Sequence, residues 1–186
     1  MFNLKSQITN KVLGYFFINP HKKHYINELA NLLCVDPGNL FRKLKELEIE
    51  GVLLSEAAGN QKYFFLNKNY PLLKELRKVY EAKHGLAVIF QKKLKKLSGL
   101  KEAYIFGSYA KGDLSPQSDI DLLLIGEHSS LVAKKNILPL QKTLKREINI
   151  IDLTPAEFHK REKQKDEFLQ NIFKKPIIKI NFSPNV

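Results

Sequence analysis

Ile105–Leu124 reads IFGSYAKGDLSPQSDIDLLL, and the rest of the chain is legible outward from it. The stretch opens as the end of an apolar run, Ala103-Tyr104-Ile105-Phe106, and breaks at Gly107-Ser108. It passes through a loop rich in Gly, Pro and Ser, then returns to an apolar strand carrying Asp119 and Asp121. Two acids at i and i+2 on a strand project from the same face. Packing gives no reason for such a pair. Adjacent carboxylates repel, and each makes the other harder to ionise unless a cation sits between them. Mg2+ suits the position, because it takes oxygen ligands and commonly uses one or two carboxylates together with substrate phosphates. The Gly-Ser turn upstream offers backbone N–H groups to phosphate, and glycine allows the close approach.

Gly107-Ser108, then Gly112, then Ser118-Asp119-Ile120-Asp121-Leu122 resembles the signature of the polymerase-β-type nucleotidyltransferases, in particular the small stand-alone ones. The resemblance implies that Gly107, Ser108, Gly112 and Ser118 bind a nucleoside triphosphate. It implies that Asp119 and Asp121 are the catalytic pair and hold Mg2+, with Mn2+ as an alternative. A third acid on a neighbouring strand completes such a site in the family.

The strand Glu147-Ile148-Asn149-Ile150-Ile151-Asp152-Leu153 divides by alternation, with 147, 149, 151 and 153 on one face and 148, 150 and 152 on the other. The best match to the third acid is Asn149. Asp152 has the opposite parity and reaches the site only through a bulge. Glu147 has the right parity but lies two residues early. Asparagine can ligate through its carbonyl but cannot act as a base at neutral pH. Nucleotide and metal binding are therefore expected to survive, with transfer slow or absent.

The 186 residues suit one large or two small domains, with 44% hydrophobic and 27% charged residues. No apolar run approaches the ~20 residues of a membrane helix. The opening MFNLKSQITN lacks a signal-peptide core, so a cytoplasmic location without membrane association is expected. The single cysteine, Cys34, forms no internal disulfide and reads as a small buried hydrophobe. Net charge is +12 and uneven: residues 1–100 carry 17 Lys and Arg against 8 Asp and Glu, the remainder 14 against 11. The basic half points to nucleic acid or another anionic surface.

That half reads as three helices and a hairpin. Leu4, Ile8, Val12, Leu13, Phe16 and Phe17 give a helical period over Asn3–Ile18, which Asn19-Pro20 ends. Tyr25–Leu33 reads as a second helix. Asp36 and Pro37 open a third, running to about Glu50 with Leu40, Phe41, Leu44 and Leu47 inward and Gly51 as its cap. Val52–Leu54 and Tyr63–Leu66 then pair as a hairpin. Residues 1–68 resemble a winged helix-turn-helix domain. The resemblance implies double-stranded DNA as partner and a homodimer as default. The third helix would read the major groove through Asn39, Arg42, Lys43 and Lys45, with Asn60, Gln61 and Lys62 of the wing on the flanking backbone. Protein docking is the other use of such a domain.

Residues 69–98 carry a long helical pattern, a connector of roughly 40 Å if Gly85 does not interrupt it, with Lys92, Lys93, Lys95 and Lys96 near its end. Its apolar stripe is a candidate dimer seam. Residues 99–186 then alternate: strand 101–106, the Gly-Ser turn, strand 120–125, a helix around 131–145, strand 147–153, a helix from Thr154 to about Phe173, and a last strand at 176–182. Little room is expected for a separate base-recognition domain. The fold class is α+β: an N-terminal winged helix, a long connector helix and a C-terminal nucleotidyltransferase fold with a small mixed sheet. The whole resembles prokaryotic transcriptional regulators that carry a nucleotidyltransferase domain. Two function classes follow. One is a DNA-binding enzyme that transfers a nucleoside monophosphate to an acceptor. The other is a regulator whose degenerate domain senses nucleotide or binds a protein partner, antitoxin-like.

Overall fold

The structure is a computed structural model and describes residues 6–182. The chain forms two compact units, Met1–Gly85 and Leu86–Val186.

In the first unit, helix α1 spans Gln7–Ile18, with Ser6 as its N-cap and Asn19 at its end. The expected start at Asn3, with Leu4, lies outside the described residues. Strand β1 (Lys23–Tyr25) leads directly into α2 (Ile26–Leu33). Helix α3 (Pro37–Ile49) starts as expected: the Asp36 side chain accepts from the Asn39 amide and Pro37 occupies the first turn. Gly51 then takes a left-handed φ of 76°. Strands β2 (Leu53–Ala58) and β3 (Gln61–Leu66) form the hairpin, closed by Gly59-Asn60. The sheet order is β1-β3-β2, all antiparallel. Helix α4 (Leu73–His84) completes the unit. Phe16, Phe17, Leu29, Leu40, Leu44, Leu47 and Phe64 are almost fully buried in its core.

Several expectations change here. Tyr25, expected to open the second helix, ends strand β1 instead; three residues are too few to show alternation in the sequence. Phe41, expected inside, is 40% exposed. Cys34 is exposed rather than buried: it ends α2 in a left-handed conformation, φ 50°, which turns its side chain out of the helix face. The single connector helix over 69–98 is two helices, because Gly85 adopts an extended ψ of 173°.

The second unit opens with α5 (Leu86–Leu94) and β4 (Leu100–Phe106). The short helix α6 (Gly107–Lys111) follows at once, and a loop leads to β5 (Ile120–Gly126). The helix expected around 131–145 is α7 (Ser130–Ile137) and α8 (Leu140–Leu144), parted at Leu138-Pro139. Strand β6 is Ile148–Leu153. Helix α9 (Pro155–Lys163) opens with a capping box between Thr154 and Glu157. Its expected run to Phe173 is broken by left-handed Lys165, φ 52°, and resumes as α10 (Glu167–Phe173). β7 is reduced to Ile178–Lys179.

The sheet order is β6-β5-β4-β7. β4 runs antiparallel to β5 and β7, and β5 runs parallel to β6, so the sheet is mixed and the unit α+β, as expected. Alternation and register place Tyr104 and Phe106 on one face with Asp121, Leu123, Asn149 and Ile151. Leu169 and Ile172 of α10 pack over that face against Tyr104, Leu123, Ile125 and Leu153. Among the described residues no helix is long and apolar enough to cross a membrane.

Candidate functional site

Asp119 immediately precedes β5 and Asp121 is its second residue; both are half-buried. Parallel pairing with β6 sets Asp121 beside Asn149, and antiparallel pairing with β4 sets it opposite Phe106. The Asn149 amide nitrogen donates to Asp119 Oδ2 at 3.2 Å and to Asp121 Oδ1 at 3.3 Å. The residue read as standing in the third acid's place therefore touches both carboxylates. Burial raises the Asp121 carboxyl above its ordinary range; the Asn149 amide opposes this and the charge of Asp119 adds to it.

Asp152 faces the other way and hydrogen-bonds His128 Nε2 at 2.8 Å, with the His128 side chain 1% exposed. No bulge re-aims it, since the β5–β6 register runs unbroken from Ile120↔Ile148 to Ile125↔Leu153. Glu147 lies just before β6, exposed, and its backbone carbonyl accepts from the Ile120 amide at 3.0 Å.

Gly107 has φ +72°, and a Cβ there would collide with the Asp121 carboxylate. The acid thus rests against glycine backbone. Ser108, half-buried, is the second residue of α6. Gly112 and Ser118 serve the loop. Gly112, at φ 77°, caps α6 through its amide to the Ser108 and Tyr109 carbonyls. The Ser118 hydroxyl accepts from the Ser115 amide at 2.9 Å and pairs with the Ser115 hydroxyl at 2.9 Å.

Arg146 was missed from sequence. Between Lys145 and Glu147 it reads as surface charge, yet it is 8% exposed. Its Nη1 donates to the carbonyls of Ser115 (2.6 Å), Pro116 (3.1 Å) and Ser118 (2.7 Å). It clamps the loop that delivers Asp119.

Among the described residues no three His, Cys, Asp or Glu side chains group to hold a metal. Two carboxylates and one amide nevertheless suit Mg2+, which keeps water and phosphate among its ligands. A cation would offset both the burial and the neighbouring Asp119 charge that raise Asp121, and rotation of the Asn149 amide would offer its oxygen instead of its nitrogen.

In the first unit, Asn39 and Arg42 are exposed on α3 and hydrogen-bond each other. Lys43 pairs with Glu46 at 2.7 Å. Asn60 is exposed in the hairpin loop, and Gln61 accepts from the Tyr63 hydroxyl at 2.9 Å. Lys45 and Lys62 both reach Glu48, each at 2.9 Å, so one acid ties α3 to the hairpin. Burial acts to raise the Glu48 carboxyl, but hydrogen bonds from Ser55, Lys45 and Lys62 outweigh it and hold it at about 2. Glu48 too was missed, because two of its three partners, Ser55 and Lys62, come from the hairpin strands.

A family model for the nucleotidyltransferase domain matches residues 88–179. No curated protein matches the chain. Among solved structures the chain is similar to a mutant form of the toxin–antitoxin MntA-HpeT, at 16% identity and TM-score 0.38, over 53% of this chain and 74% of that one. It is similar to a toxin–antitoxin structure with AMP-PNP at 19% identity and TM-score 0.37, over 53% and 73%. A mutant form of Lactococcus lactis ZitR is similar at 15% identity and TM-score 0.37, over 52% and 66%. The matched span runs from within α5 through β7 and takes in the whole acid site, so that residues 88–179 match a nucleotidyltransferase domain.

Proposed function

We propose that the second unit binds a divalent cation with a nucleoside triphosphate, and that the first unit is a winged helix-turn-helix that binds double-stranded DNA. Asp119 and Asp121 hold Mg2+. Gly107 and Ser108 face the phosphates, while Gly112, Ser118 and Arg146 shape the loop between. The cation would supply charge neutralisation for the phosphates. The chain's own part is to hold the two acids side by side, Asp121 against the Gly107 backbone.

The observation that carries the reading is Asn149, which donates to both acids from the register position beside Asp121. It supports a site that binds metal and nucleotide but lacks a carboxylate to take the acceptor's proton. Transfer of a nucleoside monophosphate is accordingly slow, and the domain works mainly as a nucleotide sensor. The DNA reading is supported by the basic first half and by the exposed Asn39–Arg42 pair on α3.

Label transfer tests the site. The full chain is incubated with each α-labelled nucleoside triphosphate and Mg2+ or Mn2+ in cell lysate, beside the Asp119→Asn/Asp121→Asn double variant. Metal-dependent nucleotide binding that the double variant loses, with little transfer, is the expected result. Rapid labelling of a protein or nucleic acid by the native chain alone would instead make it an enzyme. Absence of both binding and transfer would remove the nucleotide reading.

A further inference from the structure

The face that carries the acids also carries an aromatic pair with no assigned task. Phe106 is the cross-strand partner of Asp121 and the covalent neighbour of Gly107. It borders the acids from the β4 side as Asn149 borders them from β6. Phe168, in the first turn of α10, meets Phe106 with ring centroids 6.3 Å apart and planes at 85°. At the other end of α10, Phe173 meets Tyr104 at 5.5 Å. Helix α10 therefore runs away from the acids, and Phe168 is the aromatic of this helix that stands at the site.

Phe168 is 40% exposed, whereas its neighbour Leu169 is 4% exposed. Burying a phenylalanine stabilises a fold, and an open ring forgoes part of that. The perpendicular contact with Phe106 fixes the ring without covering it. A fixed, open aromatic ring beside a phosphate and metal site offers a flat surface to a nucleobase.

We propose that Phe168, seated on Phe106, is the stacking platform for the base of the nucleotide whose phosphates lie at Gly107, Asp119 and Asp121. The inference rests on the nucleotide-binding reading above. It adds a selection rule: discrimination comes from stacking area, so purine nucleotides bind more tightly than pyrimidine nucleotides.

The test measures binding of ATP, CTP and inorganic tripolyphosphate, each with Mg2+, to the full chain and to Phe168→Leu and Phe168→Tyr. Leucine keeps the apolar contact with Phe106 but has no ring face, while tyrosine keeps the face. The expected result is about tenfold weaker ATP binding in Phe168→Leu, loss of the preference for ATP over CTP, and unchanged tripolyphosphate binding. Phe168→Tyr should restore both ATP affinity and preference. Equal weakening of ATP and tripolyphosphate in Phe168→Leu would show a structural role and overturn the platform. Unchanged ATP binding in that variant would overturn it as well, while leaving the phosphate and metal site intact. If the native chain binds neither ATP nor tripolyphosphate, the site reading and the platform fall together.

Discussion

Asn149 stands beside Asp121 on the neighbouring parallel strand, its amide nitrogen 3.3 Å from the Asp121 carboxylate. One donor thus separates and satisfies two acids that would otherwise face each other. In the function proposed above it occupies the place of a third carboxylate, and on that reading its chemistry governs what the site can do.

Asn149→Asp should change the domain in two opposed ways. Without metal, three carboxylates repel and the melting temperature should drop by several degrees. Added Mg2+ should recover it, by more than it stabilises the native chain. Label transfer should rise about tenfold or more, because the new carboxylate can take the acceptor's proton. Thermal melts with and without Mg2+, run beside the transfer assay, check both halves.

Gly107→Ala should fail for steric reasons. The left-handed φ of +72° strains any side chain, and the new Cβ meets the Asp121 carboxylate. A loss of about 1–3 kcal/mol in urea unfolding is expected, together with loss of nucleotide binding. Gly112→Ala, at φ +77° but with nothing within 4 Å of a Cβ, should cost stability and spare more of the binding.

Arg146 clamps three carbonyls with one buried guanidinium nitrogen. Arg146→Ala leaves those carbonyls short of a donor and should cost about 3 kcal/mol. Arg146→Lys keeps the charge but not the rigid planar guanidinium that positions Nη1, and should recover only part. Proteolysis within residues 112–118 should quicken in both variants, in the order Ala then Lys.

For DNA, Arg42→Ala should weaken specific binding, while Lys62→Ala should mainly lower the salt dependence. Glu48 already neutralises Lys45 and Lys62 in the free protein. Glu48→Gln should therefore tighten DNA binding a fewfold at low salt. Retention of a labelled duplex in gels across a salt series reads all three. No change in any of them would make the first unit a protein-docking module.

The same acid predicts a pH effect on the first unit. Glu48 is held at about 2 in the folded chain against an ordinary 4.5. A depressed carboxyl favours the folded state above its unfolded value, and that contribution is lost as pH falls from 4.5 toward 2. With partly exposed partners it amounts to on the order of 1 kcal/mol. Glu48→Gln should flatten the decline in stability across that window, as followed by urea unfolding at stepped pH.

What was legible in the sequence is what short stretches of chain decide. The caps at Asp36 and Thr154 need only the next three residues. The Gly-Ser turn and the Asp119/Asp121 pair lie within one strand–loop–strand segment. Strand alternation alone separated Asn149 from Asp152, and the unbroken β5–β6 register preserved that separation.

Helix continuity was less legible. Periodicity carries across a break when the apolar spacing happens to persist. The patterns over 69–98, 131–145 and 154–173 therefore each became two helices, parted at Gly85, at Leu138-Pro139 and at Lys165. Phe41 differs from its expected place because a helix position can be apolar and still look outward when no neighbour covers it, and Cys34 because it lies past the end of α2 in a left-handed turn.

By itself, the sequence determined the acid pair, the glycine that admits it and the strand face that Asn149 shares. Each depends on backbone sterics and side-chain direction over a few residues. Only the tertiary structure decided that Asn149 touches both acids, that Arg146 clamps their loop, that Glu48 holds Lys45 and Lys62, and that Phe168 meets Phe106. Those contacts join residues far apart in the chain, except for Lys45 and Glu48 on one helix turn. They exist only once strand register and helix packing have brought the elements together.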